Sequence, residues 1–333
     1  MTLYLHGLGH FHPEVEITNR FLEELDIGTN DQWILERVGI KTRRTMMPLE
    51  YIKETKNKNP AGALEAALYS NADIGQRAAE MALARSGVRK DEIGMLICGT
   101  SAADYASPAE GCSVARALEL EVPAFDVISA CTSLFVALHL LNNMQEGALP
   151  PYVLAVAPEG LTRTVDYSDR AAAVLWGDAA VAMVLSTRIP SRVRILGNFV
   201  ESSPAGADKV IVPRFGHFAQ EGRTVQTFAI KKTIWGVKKL DEALRRPERN
   251  FNFVGHQANL RMLESVCKYC DIPKERHHFN VEDYGNTGAA SAASVVSMRW
   301  DQWTDLDDVA IVGVGSGLTW SGYVIRFGAG APA

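Results

Sequence analysis

Residues 124–141 read AFDVISACTSLFVALHLL. The apolar run AFDVIS stops at small residues and Cys131, and an apolar helical pattern begins at Thr132. This is strand, tight turn and helix, the repeating unit of a layered α/β protein, with a thiol placed at the helix start. Working outward, Met95–Gly99 (MLICG) is a short buried strand and Pro108–Leu120 a helix. Downstream, Thr132–Gln145 is the helix, and Tyr152–Ala157 and Ala179–Ser186 are further strands. Leu3–Gly9 opens the chain as a strand, and Ile74–Ser86 has helical spacing that stops at Gly87. Strands separated by helices predict right-handed crossovers and a largely parallel sheet covered on both faces.

The pattern then returns. Cys98–Leu141 reads strand, loop, helix, a link containing Pro123, strand, turn at Cys131, helix. Val254–Ser297 reads strand, loop at His256, helix, a link containing Pro273, strand, turn at Asn286, helix. Gly99 and Cys131 are 32 residues apart, and Gly255 and Asn286 are 31 apart. Both stretches are followed by strands, Ala179–Ser186 in one case, Val309–Gly313 and Gly322–Phe327 in the other. Equal spacing of equivalent turns predicts an internal duplication. The halves are residues 1–187, with the thiol, and 188–333, with the histidine and the asparagine; TRIPS at 187–191 separates them. Met46–Asn71, rich in Lys and Asn and then in Ala and Leu, stands outside this plan and reads as an inserted lid or interface arm, or as a solvated loop.

Composition narrows the class. A chain of 333 residues, 47% hydrophobic, buries a large core without disulfides, and five scattered cysteines read as reduced thiols. With 34 Lys and Arg against 39 Asp and Glu the net charge is −5, which argues against a general nucleic-acid binder. No apolar run reaches the roughly 18–20 residues of a membrane span. Residues 1–10 lack a basic stretch followed by an apolar core, so no secretory signal is expected there. The expectation is a soluble cytoplasmic protein.

Three polar residues stand at strand-to-helix turns. Cys131 opens a helix, where free N–H groups and the macrodipole favour a thiolate; a buried structural cysteine fits the same pattern. His256 in VGHQAN ends a strand, where groups in parallel sheets collect into sites. Asn286 in YGNTG sits at the turn equivalent to Cys131, and a simple helix N-cap fits it as well. Together they set a thiol, an imidazole and an amide near the middle of a two-fold pseudo-symmetric core.

The stretches DVISACTS, VGHQANLR, YGNTGAAS and GVGSGLTWSG closely resemble β-ketoacyl-acyl-carrier-protein synthase III, a condensing enzyme of the thiolase fold. The resemblance runs nearly end to end, from HPEVEITN and NDQWILERVGIKTRR to the closing strand. It implies a five-layered α-β-α-β-α architecture of two duplicated halves, and a homodimer. It implies that Cys131 takes an acyl group from a thioester, with its own N–H and that of Ser316 forming the oxyanion hole. His256 and Asn286 are then donors to the thioester carbonyl of a malonyl-type extender on an acyl carrier protein. No permanently bound cofactor is implied; coenzyme A or phosphopantetheine thioesters are substrates. Trp33 resembles the tryptophan that stacks on the adenine, with Arg37 near the phosphates and Arg170 opposite. Asn259 would bond the pantetheine arm and Arg261 would face the acidic carrier.

Departures from the family bear on substrate. Ser107 stands where a bulky aromatic restricts short-chain members, and Val314 and Leu318 replace frequent phenylalanines, so these three positions predict a pocket for a medium or long acyl chain. Ser316 replaces a glycine, which leaves its N–H available but tightens the turn. These changes point to a specialised relative in secondary metabolism instead of fatty-acid initiation. An acyltransferase forming esters or amides, or a silent partner subunit, are the other readings. Cys267 and Cys270 have CxxC spacing without a second ligand pair, and the glycines at 313, 315 and 317 precede a strand, so neither a metal nor a dinucleotide is expected.

Overall fold

The fold is taken from a computed structural model of the chain, which describes residues 2–214 and 216–328. Nine strands build its main sheet: β1 (Leu3–Phe11), β2 (Ile93–Cys98), β3 (Ala124–Asp126), β4 (Tyr152–Glu159), β5 (Ala179–Ser186), β6 (Val193–Ser202), β7 (Asn250–Gly255), β8 (Asp307–Gly315) and β9 (Thr319–Arg326). Their order is β7-β8-β9-β6-β1-β5-β4-β2-β3, which reads as the same arrangement twice. β1 and β6 meet antiparallel at the centre, Leu3 opposite Ile195. Moving out on either side, β5 matches β9, β4 matches β8 and β2 matches β7.

Two expectations are corrected. The sheet is mixed and not largely parallel: only β2–β3, β2–β4 and β7–β8 are parallel, and the other five pairings are antiparallel. β8 returns directly into β9 through the turn at Ser316–Leu318, and a turn that short can join only antiparallel strands. The strand expected after Pro273 is reduced to one bridge, between His277 and Phe253. That position matches β3 in the other half, which itself has only three residues.

Among the described residues six helices cover the sheet: α1 (Asn71–Ser86), the shorter Glu110–Ala117, α2 (Ser133–Asn143), α3 (Gly222–Leu244), α4 (Leu260–Tyr269) and α5 (Ser291–Met298). The strand periodicity of two sorts the core into three helix layers separated by two layers of strand. On β4 and β5, Leu154, Val156, Ala180, Ala182 and Val184 face the outer layer with α1. Their neighbours Val153, Ala155, Val181, Met183 and Leu185 face inward, onto α2 and α5. On β8 and β9, Val309, Ile311, Tyr323 and Ile325 face the same central layer, and Ala310, Val312 and Val324 face α3 and α4. This is the five-layered thiolase arrangement. The central helices are apolar on nearly every side because each is pressed between two sheets.

Local signals explain the element ends. Ser70 Oγ accepts from Asp73 N at 3.1 Å while Asp73 Oδ2 accepts from Ser70 N at 2.8 Å, a reciprocal cap that starts α1. Met46–Asn71 is neither lid nor loose loop. It folds into two short helices, Leu49–Thr55 and Pro60–Ala66, and Met46, Met47, Ile52 and Ala63 are fully buried in the outer layer. Asn57 pins it by donating to the carbonyls of Arg163 and Val165, both at 2.8 Å.

Candidate active site

Cys131 lies in a single 3-10 turn, Ala130–Thr132, between β3 and α2. Ala130 adopts φ 47°, so the chain doubles back sharply and presents the next residue outward. Hydroxyls hold the turn: Ser133 Oγ donates to Ala130 O at 2.7 Å and accepts from Ser129 N at 2.8 Å. His256 follows β7, and Asn286 sits between two positive-φ glycines, Gly285 and Gly288. The three side chains line one cavity of about 300 Å³ with Asn259, Val314 and Ser316, and Trp33 and Arg37 line the same cavity.

Each polar group is set by its partners. Ser291 Oγ is 2.8 Å from His256 Nδ1, and among the described residues it accepts from Gln257 N and donates to no other acceptor. Its proton therefore goes to Nδ1, and the imidazole carries its own proton on Nε2. Burial holds His256 down to about 4, so at neutral pH it is an uncharged donor. Asn286 Oδ1 accepts from Gly288 N at 3.0 Å, which leaves the amide NH₂ to donate. Gly315 lies so close to the Cys131 turn that a Cβ there would be 3.2 Å from Cys131 N.

The thiol behaves against expectation. Burial pushes Cys131 up to about 12, and the nearby Glu159 carboxylate adds to the effect. The thiol is protonated at rest, because enclosure and a neighbouring negative charge outweigh the pull of the helix start.

Trp33 is gripped from two directions: the Arg170 guanidinium is 4.9 Å and that of Arg37 5.7 Å from its ring. Arg170 is anchored by donating to Gly28 O at 2.6 Å. Asn259 caps α4, accepting from Met262 N at 2.8 Å. Arg261 is half-exposed, paired with Glu264 at 2.9 Å and donating to Leu35 O at 2.7 Å. Of the three positions expected to shape the acyl pocket, only Val314 lines the cavity. Ser107 is exposed, three residues after Asp104, which pairs with Arg163 at 2.6 Å. Leu318 is buried against Gly206, where a Cβ would be 2.9 Å from it.

Two contributors escaped the sequence reading. Glu159, fully buried at the end of β4, accepts from Thr100, Ser101 and Ala289, and so ties together loops beside both Cys131 and Asn286. A lone carboxylate closing the apolar strand YVLAVAPE was the available signal. Arg43 is also fully buried and donates to Val174 O and to Asn19 Oδ1 at 2.6 Å. Period-two reading of TRRT separates it from its half-buried neighbour Arg44.

Comparison with known proteins agrees with the geometry. Residues 125–204 match the 3-oxoacyl-acyl-carrier-protein synthase III family, and residues 241–327 match the C-terminal region of that family. The chain is 32% identical over 338 residues to β-ketoacyl-acyl-carrier-protein synthase III of Chlamydia pneumoniae, an alignment covering 96% of this chain and 95% of that protein. The Campylobacter curvus protein of the same name is 28% identical, covering 97% and 96%. In structure, 3-oxoacyl-acyl-carrier-protein synthase III of Aquifex aeolicus superposes with a TM-score of 0.85 at 26% identity, over 98% of this chain and 100% of that one. The Pseudomonas aeruginosa enzyme gives 0.84 at 27%, over the whole of both chains. The chain is therefore a thiolase-fold condensing enzyme and belongs to the β-ketoacyl-acyl-carrier-protein synthase III family.

Proposed function

We propose that this ketosynthase works through an acyl group carried on Cys131, and joins a medium or long acyl chain to a malonyl- or β-ketoacyl-carrier protein. The sulfur attacks the thioester carbonyl of the first substrate, and the amides of Cys131 and Ser316 hold the oxyanion. The thiol of coenzyme A or of the carrier leaves. A malonyl thioester then places its carbonyl oxygen against His256 Nε2 and the Asn286 amide. Loss of carbon dioxide leaves an enolate whose oxygen these donors stabilise, and its carbon attacks the acyl-cysteine. The observation that carries this reading is the pair of uncharged donors sharing one cavity with a thiol. Each donor can contribute about 3–4 kcal/mol to a transition state of this kind. A general base at residue 286 would suit ester or amide formation better than an amide does.

The approach channel would use the Trp33 face with Arg170 and Arg37 for the nucleotide of coenzyme A, and the free amide nitrogen of Asn259 for the pantetheine arm. Arg261 would meet the carrier protein, exchanging Glu264 for a carboxylate of the partner. The edge strand β3 and its surroundings expose Phe125, Ile128 and Tyr105, the last two by 69% and 59%. An unpaired edge flanked by apolar side chains supports dimerisation there, and puts the exposed Ser107 loop beside the interface. Among the described residues no helix is long and apolar enough to cross a membrane.

The test is a mixture of acyl-coenzyme A of increasing chain length with malonyl-carrier protein, followed by carbon dioxide release and the mass of the carrier. Release of carbon dioxide with a carrier gaining the β-ketoacyl group of a medium or long chain supports the reading. Acyl transfer without carbon dioxide favours the ester- or amide-forming alternative, and no turnover favours a silent subunit. Turnover confined to acetyl-coenzyme A overturns the chain-length part.

A further inference from the structure

Asn286 works as a donor only while its amide is held the right way round. Its Oδ1 accepts from Gly288 N at 3.0 Å, and this bond turns the NH₂ toward the cavity. The next amide in the turn, Ala289 N, donates to Glu159 Oε1 at 2.7 Å. A carboxylate in the first half is therefore one residue removed from the bond that orients the Asn286 amide. The contact is close. At Gly288, held at φ +56°, a Cβ would sit 2.5 Å from Glu159 Oε1.

Glu159 ends β4, and its remaining bonds stay in its own half. Ser101 Oγ donates to Oε1 at 2.7 Å, and Oε2 accepts from Ser101 N at 2.9 Å and from Thr100 Oγ1 at 3.1 Å. Each carboxylate oxygen thus accepts from a backbone N–H, one in each half of the molecule. Only a group with two acceptor oxygens holds both. Arg163, four residues on, pairs with Asp104 at 2.6 Å and not with Glu159. A fully buried carboxylate satisfied by neutral donors alone is costly to keep, and here it joins two loops at the site.

Resting on the enolate-donor role given to Asn286, we propose that Glu159 is a positioning residue: it clamps the Gly288–Ala289 turn of the second half to the Thr100–Ser101 loop of the first, and so locks the Asn286 amide in its donor orientation. A charged acceptor makes the stronger clamp, since charge-assisted hydrogen bonds are about twice as strong as neutral ones. Burial pushes Glu159 up to about 7, so the clamp tightens as pH rises through neutrality. The titratable groups facing it are Cys98 on β2 and Cys131 before α2, both held above the ordinary thiol range, and the turn 287–290 brings none. His256, at about 4, does not titrate in that window either. The same negative charge helps to hold the Cys131 thiol protonated. Removing it therefore acts in opposite directions on the two half-reactions, weakening the donor and easing ionisation of the thiol.

The experiment compares the full chain with Glu159→Gln, whose side chain keeps its length but sets an NH₂ against one of the two backbone N–H groups. Carbon dioxide release from malonyl-carrier protein without an acyl primer, and acyl uptake from octanoyl-coenzyme A by rapid quench and intact mass, are each followed through neutral pH. In the wild type, carbon dioxide release should rise with pH through about 7. Glu159→Gln should slow that release by about 10–100-fold and flatten the rise, while acyl uptake stays at least as fast as in the wild type. Release at the wild-type rate in the variant would overturn the clamp. So would an equal loss in both half-reactions, which marks a merely structural role. A flat wild-type profile, which needs no variant, would overturn it as well. A wild-type chain that releases no carbon dioxide overturns the reading of Asn286 itself, and the clamp with it.

Discussion

The turn at Cys131 and the turn at Asn286 occupy matching places in the two halves, yet they are held differently. Each leads into a central helix, α2 or α5. The Cys131 turn is closed by its own hydroxyls, and Gly315 of the other half approaches it closely. The Asn286 turn is clasped by the opposite half through its backbone. Asn286 N donates to Leu175 O at 2.8 Å, and Gly177 N donates to Asn286 O at 3.0 Å. Arg43 braces that clasp by bonding Val174 O and lying under Gly285. The difference fits the proposed chemistry. A nucleophile must change its protonation and its covalent partner, whereas a donor to a transient enolate must already be in place when charge develops.

If that division holds, Asn286→Ala produces the largest effect and an unequal one. Malonyl decarboxylation should fall by about 10²–10³-fold while acyl uptake on Cys131 continues. Parallel loss of both steps, read by carbon dioxide release and intact mass, would show that the turns do not act separately. Arg43→Met should come next. It strands the Val174 carbonyl and removes a buried guanidinium hydrogen-bonded through each of its three nitrogens, at a cost of about 3 kcal/mol in unfolding free energy. Chemical denaturation measures this, and the surviving folded enzyme should lose more in decarboxylation than in acylation.

The smallest effect concerns acid. His6, His10, His12, His256, His277 and His278 are all held below the ordinary histidine value by burial. At all of these but His6, the unfolded chain binds protons at about 6.5 that the folded chain refuses until about pH 4 or lower. Their contribution to stability is complete above pH 6.5 and is lost as pH falls toward 4. Melting temperatures measured across that window should decline before the surface carboxylates titrate; a flat profile would contradict the buried, neutral state of these rings.

The strand–turn–helix at Cys131 and its echo at Asn286 were legible because regular spacing survives in sequence when the turns it separates stay equivalent. Pairing direction was not legible. Whether Ala179–Ser186 runs with or against its neighbour depends on how residues 160–178 return, and that stretch has no crossover helix to announce itself. Cys131 and His256 reach the cavity after the strands β3 and β7, whereas Asn286 reaches it after the short helix Val281–Tyr284 and not after a strand. The ionisation of the thiol was not legible, since the helix start is visible in sequence whereas the burial and Glu159 that oppose it come from folding. Ser107 shows the same limit, because a position chosen by motif lies on a loop that leaves it exposed, and exposure is decided by folding.

The central claim is that Cys131 carries the acyl chain. Intact-protein mass spectrometry after exposure to a mixture of acyl-coenzyme A thioesters tests it directly. The account predicts one acyl adduct, of medium or long chain, on the wild type and none on Cys131→Ala. An adduct that persists on Cys131→Ala, or a wild type that stays unmodified, would contradict it.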